Sequence, residues 1–256
     1  MPFLNYAKRT SHTPKCTSFT YDVPMIRRSF RLRMRGSRND VGFDLWQLKN
    51  ACTLVNRTSS PSRRTILVLD AIRNRRNIRE FTDDLVDNEI LFQIIEAATW
   101  APNHRNTEPW RFIVLAKNGD MRSKVAKIVH DWTYENVKSP NPERRTNSAR
   151  EAEQEILDSP SFIYVYSVQG RDEEMTRENY SATSCAIQNL MLTAHSLGLS
   201  VGWSTGKPCL APVDTAIGAE PDWDIVGALY IGYPKDIDSA NRTAKRTPVN
   251  EITTWA

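Results

Sequence analysis

Three arginines fall within five residues in the run Arg75-Arg76-Asn77-Ile78-Arg79. Guanidiniums this close repel one another unless an anion or a carboxylate lies beside them. Each offers a planar fork of donors that suits a phosphate. On charge alone a solvated basic face is the plainer reading, and both stay open. Further along, residues 101–112 read Ala-Pro-Asn-His-Arg-Asn-Thr-Glu-Pro-Trp-Arg-Phe. Pro102 and Pro109 bracket His104 and Asn106 and forbid a continuous helix there. The segment is then a stiff polar loop that delivers Trp110 into the apolar run 112–115. His104 taken alone reads as a structural hydrogen bonder rather than a catalyst. In Val201-Gly202-Trp203-Ser204-Thr205-Gly206 two glycines flank an aromatic residue, which lets backbone approach a flat ligand closely. A strand followed by a turn explains the same residues. Lys245-Arg246-Thr247-Pro248 is a basic pair in a polar tail.

Other chemistries find no support. Cys16, Cys52, Cys185 and Cys209 are far apart and form no Cys-x-x-Cys pair. That argues against a zinc site and a disulfide framework, and for a reducing compartment. His12, His104, His130 and His195 have no partners at ligand spacing, so no metal is expected. The chain has no Gly-x-Gly-x-x-Gly, no P-loop and no Gly-x-Ser-x-Gly elbow. No run of 18 apolar residues occurs, so no membrane contact is expected.

The Arg cluster, the loop at 101–112 and the Gly-Trp-x-Thr-Gly segment, in this order, resemble the nitroreductase family over residues 66–250. The Ala-Pro-Asn-His and Glu-Pro-Trp-Arg-Phe pieces carry most of that resemblance. It implies an α+β fold, a mostly antiparallel central sheet flanked by helices, in an intertwined homodimer that binds FMN between subunits. It also implies NAD(P)H as reductant, with ping-pong hydride transfer to a nitroaromatic, quinone or related small-molecule acceptor and no protein nucleophile. Carried over residue by residue, it sets Arg75, Arg76 and Asn77 at the FMN phosphate and ribityl chain. Arg79 falls near flavin N1 and O2, where it would be the catalytic group, stabilising developing negative charge. His104 becomes a flavin contact. Trp203, Ser204 and Thr205 border the isoalloxazine ring, and Arg246 reaches the phosphate. Asn77 stands where the family usually has serine; it keeps hydrogen-bonding ability but is bulkier. Trp100 stands where relatives place an arginine, and it would cover the site or join the core. Two alternatives are kept: dehalogenation or flavin destruction on the same fold, or a non-catalytic basic-armed protein that binds nucleic acid or another partner. Nucleic acid is not the expected partner.

The 256 residues are 40% hydrophobic and 25% charged, ordinary for a globular protein. The net charge of +4 hides a division. Residues 1–65 hold 13 Lys and Arg against three acids, a balance of +10, and the remainder carries −6. Residues 1–62 therefore read as a basic, disordered leader and 63–256 as the FMN-binding domain. The leader fits a transit peptide, a basic arm, or a stretch translated from a misplaced start. The expected compartment is the cytoplasm, or an organelle if the leader is a transit peptide. Apolar spacing predicts a short amphipathic helix from Ile66 toward the Arg cluster, with Ile66, Leu69 and Ile72 at three-residue spacing, and a second from Asp87 to Pro102. A third starts at Asn118 or Asp120. The polar, Pro-containing stretch 138–150 reads as a loop or lid, with a short helix at 150–158. The longest helix runs over 176–197 and ends at Gly198. Strands are expected at 110–115, 161–168, 199–204 and 225–231, a helical turn at 212–217, and no helical period after 235.

Overall fold

A computed structural model describes residues 68–236 and 244–256, so the leader read at 1–62 and the helix start at Ile66 lie outside the described residues. Four strands form one antiparallel sheet: β1 (Trp110–Leu115), β2 (Ser161–Val168), β3 (Ser200–Ser204) and β4 (Trp223–Gly232), in the order β1-β2-β4-β3. The central strand β2 is buried along nearly its whole length. Period-two alternation divides it between two cores. Ile163 and Val165 face one cluster, with Ile94 and Ala98 of α2 (Asn88–Thr99) and Ile187 and Leu190 of α5 (Glu173–Ser196). Phe162, Tyr164 and Tyr166 face the other, with Val125 and Val129 of α3 (Asp120–Asn136) and Ile156 of α4 (Pro142–Asp158). Phe162 meets Tyr164 and Tyr230 edge-on, with ring centroids 5.1 and 4.9 Å apart. The result is the mixed α+β arrangement expected, a sheet between two helical layers.

Most expected elements lie within a few residues of their predicted bounds. α2 follows Asp87 as expected, although Asp87 makes no side-chain cap bond. α5 begins three residues early because the Asp172 carboxylate accepts from Met175 N–H and caps it there. Gly198 follows its end with φ +84°, the left-handed conformation glycine takes without strain. Two short helices, α6 (Lys207–Leu210) and α7 (Asp214–Ile217), follow β3. The tail carries one 3-10 turn, Val249–Glu251.

Two readings need correction. The stretch 138–150 is a loop only as far as Asn141: α4 starts at Pro142 and runs unbroken to Asp158. Proline at the first helical position loses nothing, because that N–H would lack a partner anyway. Asn141 supplies the cap, its Oδ1 accepting from Glu143 N–H at 2.9 Å. The C-terminal carbonyls of α4 take two cations. Lys117 Nζ donates to the carbonyls of Leu157 (2.7 Å) and Asp158, and fully buried Arg122 donates to that of Ser159 at 2.6 Å. Burial pushes Arg122 down to about 10. The second correction concerns α1 (Val68–Asn74): Leu69 and Ile72 are exposed, and only Ala71 is buried. The sequence period is present, but its apolar face does not point into this chain's core.

Asn141→Ala is expected to destabilise the domain by about 0.5–2 kcal/mol through loss of the α4 cap. Urea unfolding monitored by circular dichroism checks this; an unchanged midpoint would show that α4 starts without its cap.

Candidate functional site

Residues 75–82 leave α1 and run along the free edge of the sheet. Asn77 bridges Val201 in parallel and Phe81 bridges Pro234 in antiparallel fashion. Thr82 N–H donates to Tyr233 C=O at 2.9 Å, and Lys235 N–H to Glu80 C=O at 3.1 Å. The key contact is the Asn77 side chain, whose Oδ1 accepts from Trp203 N–H at 2.6 Å. The serine expected at this position has a shorter reach. Asparagine here links the Arg cluster directly to the Gly-Trp-Ser segment. A Cβ at Gly202 would fall 2.5 Å from Arg79 Cγ and 2.7 Å from the Ile78 carbonyl, so only glycine admits this approach.

The arginines fall into two environments. Arg75 is half-buried, and its Nε is buried without a hydrogen-bond partner in the described residues. Burial holds its guanidinium below the usual arginine range, and the positive charges of Arg246 and Arg76 add to the effect. His195, in the last turn of α5, is likewise held low by burial and by Arg75 and Arg76. Arg75, Arg76, Arg246 and His195 thus gather at one end of α5, with no carboxylate among the groups that shift Arg75. Arg79 differs. Its Nη1 donates to Glu155 of α4 at 3.1 Å, and its guanidinium lies 5.0 Å from the Tyr230 ring centre.

Beyond Trp203 the chain turns. Ser204 is buried and its Oγ accepts from Gly206 N–H at 3.3 Å, so its hydroxyl shapes the turn that exposes Thr205. The Trp203 indole packs over Gly227 and donates to the Val226 carbonyl at 3.3 Å. Its side chain therefore belongs to the sheet. Lys207 reaches across to α4 and donates to the Ser148 carbonyl at 3.1 Å.

The loop holding His104 is a single 3-10 turn, His104–Asn106, between the two prolines. Arg105, Asn106 and Glu108 have φ of 55°, 52° and 43°, a strained run for residues other than glycine. It is held by side chains. Asn103 Oδ1 accepts from Glu108 N–H, Thr107 donates to Asn179, and His104 Nδ1 lies 2.7 Å from Glu178 Oε2. An open groove of about 420 Å³ borders it, lined in part by Asn103, His104, Arg177, Glu178 and Cys185. Trp100 is 78% exposed, which excludes the core reading, and its indole donates to Glu96. His104 does not meet the Arg cluster. Glu178 and His195 mark the two positions on α5, and a helix rise of 1.5 Å per residue separates them by ~26 Å.

The nitroreductase family model matches residues 72–233, which include every element from the Arg cluster to β4. The chain belongs to the nitroreductase family. It is 31% identical over 183 residues to "Putative NAD(P)H nitroreductase YfhC" of Bacillus subtilis, covering 71% of this chain and 90% of that protein. It is 29% identical to the 5,6-dimethylbenzimidazole synthase of Rhodospirillum rubrum, covering 66% and 82%, and 28% identical to an iodotyrosine deiodinase of Hydra vulgaris, covering 70% and 68%. Among solved structures, a nitroreductase-like family protein of Bacillus cereus aligns with a TM-score of 0.63 at 30% identity, over 78% of this chain and 98% of that one. A nitroreductase of Desulfovibrio desulfuricans, solved in complex with FMN, aligns with a TM-score of 0.56 at 25% identity, over 74% and 96%. No described helix is long and apolar enough to cross a membrane, and no metal-binding cluster occurs among the described residues.

For a nitroreductase-family chain, the sequence reading overlooked the residues that hold the site residues in place. Glu155, Glu178 and Asn179 sit far along the chain from the arginine, histidine and threonine they bond. No local spacing pairs them. Asn77→Ala should cost about 0.5–1.5 kcal/mol by removing the bond to Trp203 N–H. Chemical denaturation tests this; wild-type stability would mean that water replaces the asparagine there.

Proposed function

We propose that this chain is an FMN-dependent oxidoreductase that uses NAD(P)H to reduce a nitroaromatic, quinone or related acceptor. The observation that carries the reading is the gathering of Arg75, Arg76 and Arg246 around an Arg75 Nε that is buried with no hydrogen-bond partner among the described residues. A buried, unpartnered Arg75 Nε and mutually repelling guanidiniums fit a phosphate dianion. Asn77 would fix the edge on which the ribityl chain lies, and Thr205 and the glycine-flanked backbone would border the ring. When bound, FMN supplies the hydride chemistry, accepting from NAD(P)H and donating to the acceptor.

The separation of His104 from the Arg cluster supports a homodimer. One chain offers the arginines at one end of α5 and the docked, strained loop at the other. A second copy packed with its α5 antiparallel to the first would bring its His104 loop to the first copy's arginines. The exposed Leu69, Ile72, Phe92 and Trp100 give such a partner apolar surface to cover. Dehalogenation or flavin destruction remains the second reading. It is favoured by the synthase and deiodinase relatives, which lie within a few per cent of the nitroreductase in identity.

Titration of the purified chain with FMN, followed by quenching of flavin fluorescence, tests the cofactor. Loss of one charge-assisted contact costs about 1.5–3 kcal/mol, so Arg75→Ala should weaken FMN about tenfold or more. Equal affinity would remove Arg75 from the phosphate site. Because the described residues offer one such site, reductant and acceptor should alternate in it. Double-reciprocal plots with NADPH and a nitroaromatic acceptor should be parallel; intersecting lines would require two sites at once. Acceptor turnover with intact recovered FMN separates reduction from flavin destruction.

A further inference from the structure

Arg79 is paired with a carboxylate from a separate helix. Its Nη1 lies 3.1 Å from Glu155 Oε2, with the two side chains 33% and 43% exposed. Two further contacts fix the guanidinium. Its aliphatic stem crosses the strand at Gly202, where a Cβ would approach Cγ to 2.5 Å, and its Cζ lies over the Tyr230 ring, 5.0 Å from the ring centre. Glu155 also lies close enough to Tyr230 to press on its phenol, which burial already pushes upward. Glu155 comes from α4, whose Ser148 carbonyl, about two turns earlier, is held by Lys207. α4 is therefore tied on both sides of the Gly-Trp-Ser-Thr-Gly segment, by Arg79 and by Lys207.

We propose that Glu155 is a positioning residue that sets how much positive charge Arg79 offers to the flavin. The inference rests on the FMN reading above and deepens it. A carboxylate that accepts from Arg79 competes with any negative charge arriving at the ring edge. Coulomb attraction between the side chains is shared between two partners in place of one. Glu155 thus holds the guanidinium in place when the ring edge is neutral and limits its pull when that edge becomes anionic. The potential of a bound flavin measures this difference directly, because it reports the ratio of affinities for the oxidised and reduced forms.

The test compares full-length parent, Glu155→Gln, Glu155→Ala, Glu155→Asp, Arg79→Ala and Arg79→Ala/Glu155→Gln, each loaded with FMN. The readout is the two-electron midpoint potential, with melting temperature as the fold check. Removing the charge in Glu155→Gln or Glu155→Ala should strengthen reduced over oxidised binding on the order of tenfold, an upward shift of ~30 mV. Glu155→Asp should stay near the parent, and Arg79→Ala should shift downward. In the Arg79→Ala background, Glu155→Gln should have little further effect. A potential unchanged or lowered by both charge-removing variants overturns the proposal. So does the same upward shift with Arg79 absent, which would mean that Glu155 acts on the ring without Arg79. A parent that binds no FMN overturns the function reading itself, and this proposal with it; that outcome is separate from a flavin-loaded parent with insensitive variants.

Discussion

Residues 77–82 can lie against β3 and β4 only because Gly202 and Gly232 carry no side chain there. At Gly202 a Cβ would collide with Arg79 and the Ile78 carbonyl, and at Gly232 with Pro160 and Phe81. That close approach sets the arginine side of the site. It lets Asn77 reach Trp203 N–H and lets the segment continue the sheet through Thr82 and Lys235. It also separates Arg75 and Arg76, at the end of α1, from Arg79, whose stem crosses to the α4 side. A buried sheet edge leaves backbone groups unsatisfied. Here the Asn77 side chain takes Trp203 N–H, and the backbone of Glu80 and Thr82 bonds residues 233–235 just past β4, so the stability of that edge and the placement of the charges are one constraint.

α5 runs between the His104 loop and the arginine cluster and sets the distance between them. Asn179 and Glu178, near its start, bond Thr107 and His104 and hold the turn in which Arg105, Asn106 and Glu108 are left-handed. His195, near its end, sits with the arginines. Non-glycine residues at positive φ persist only where neighbouring contacts over-determine them. Here the neighbours are side chains of the helix that also measures the distance to the arginines. Displacing the loop and lengthening the helix would therefore both change what a second copy meets. On the dimer reading, α5 fixes the spacing between one chain's cations and its partner's loop.

Much of the fold was legible. β2 read as a buried strand because it is aromatic and β-branched without a break, and both of its faces are indeed buried. The end of α5 followed from Gly198. The stretch 138–150 failed because two prolines and many charges mimic a loop; Pro142 sits at the one helical position where it costs nothing, and Asn141 caps it. α1 was legible as a helix but not in its orientation, because periodicity reports an apolar face and not what covers it. The arginines and the loop stood out by type and spacing. Their holders, Glu155 for Arg79 and Glu178 for His104, did not, since such pairs are made by the topology rather than by local spacing.

The contrast between the two arginine environments follows from what each would meet. A phosphate monoester keeps its charge throughout a catalytic cycle, so cations that bind it gain by having no competing acid. The repulsion that Arg76 and Arg246 exert on Arg75 is then a cost that a bound phosphate would relieve. A ring edge that is neutral in one redox state and anionic in the next makes a different demand. An uncompensated arginine there would hold the anionic state too firmly for the electrons to leave for an acceptor. A carboxylate on a separate helix, half exposed to solvent, gives Arg79 a partner for the neutral state and costs less to share than a buried one. On this view the clustered cations at one end of the site and the acid paired with Arg79 at the other answer the same requirement, that each charge be matched to how long its partner stays charged.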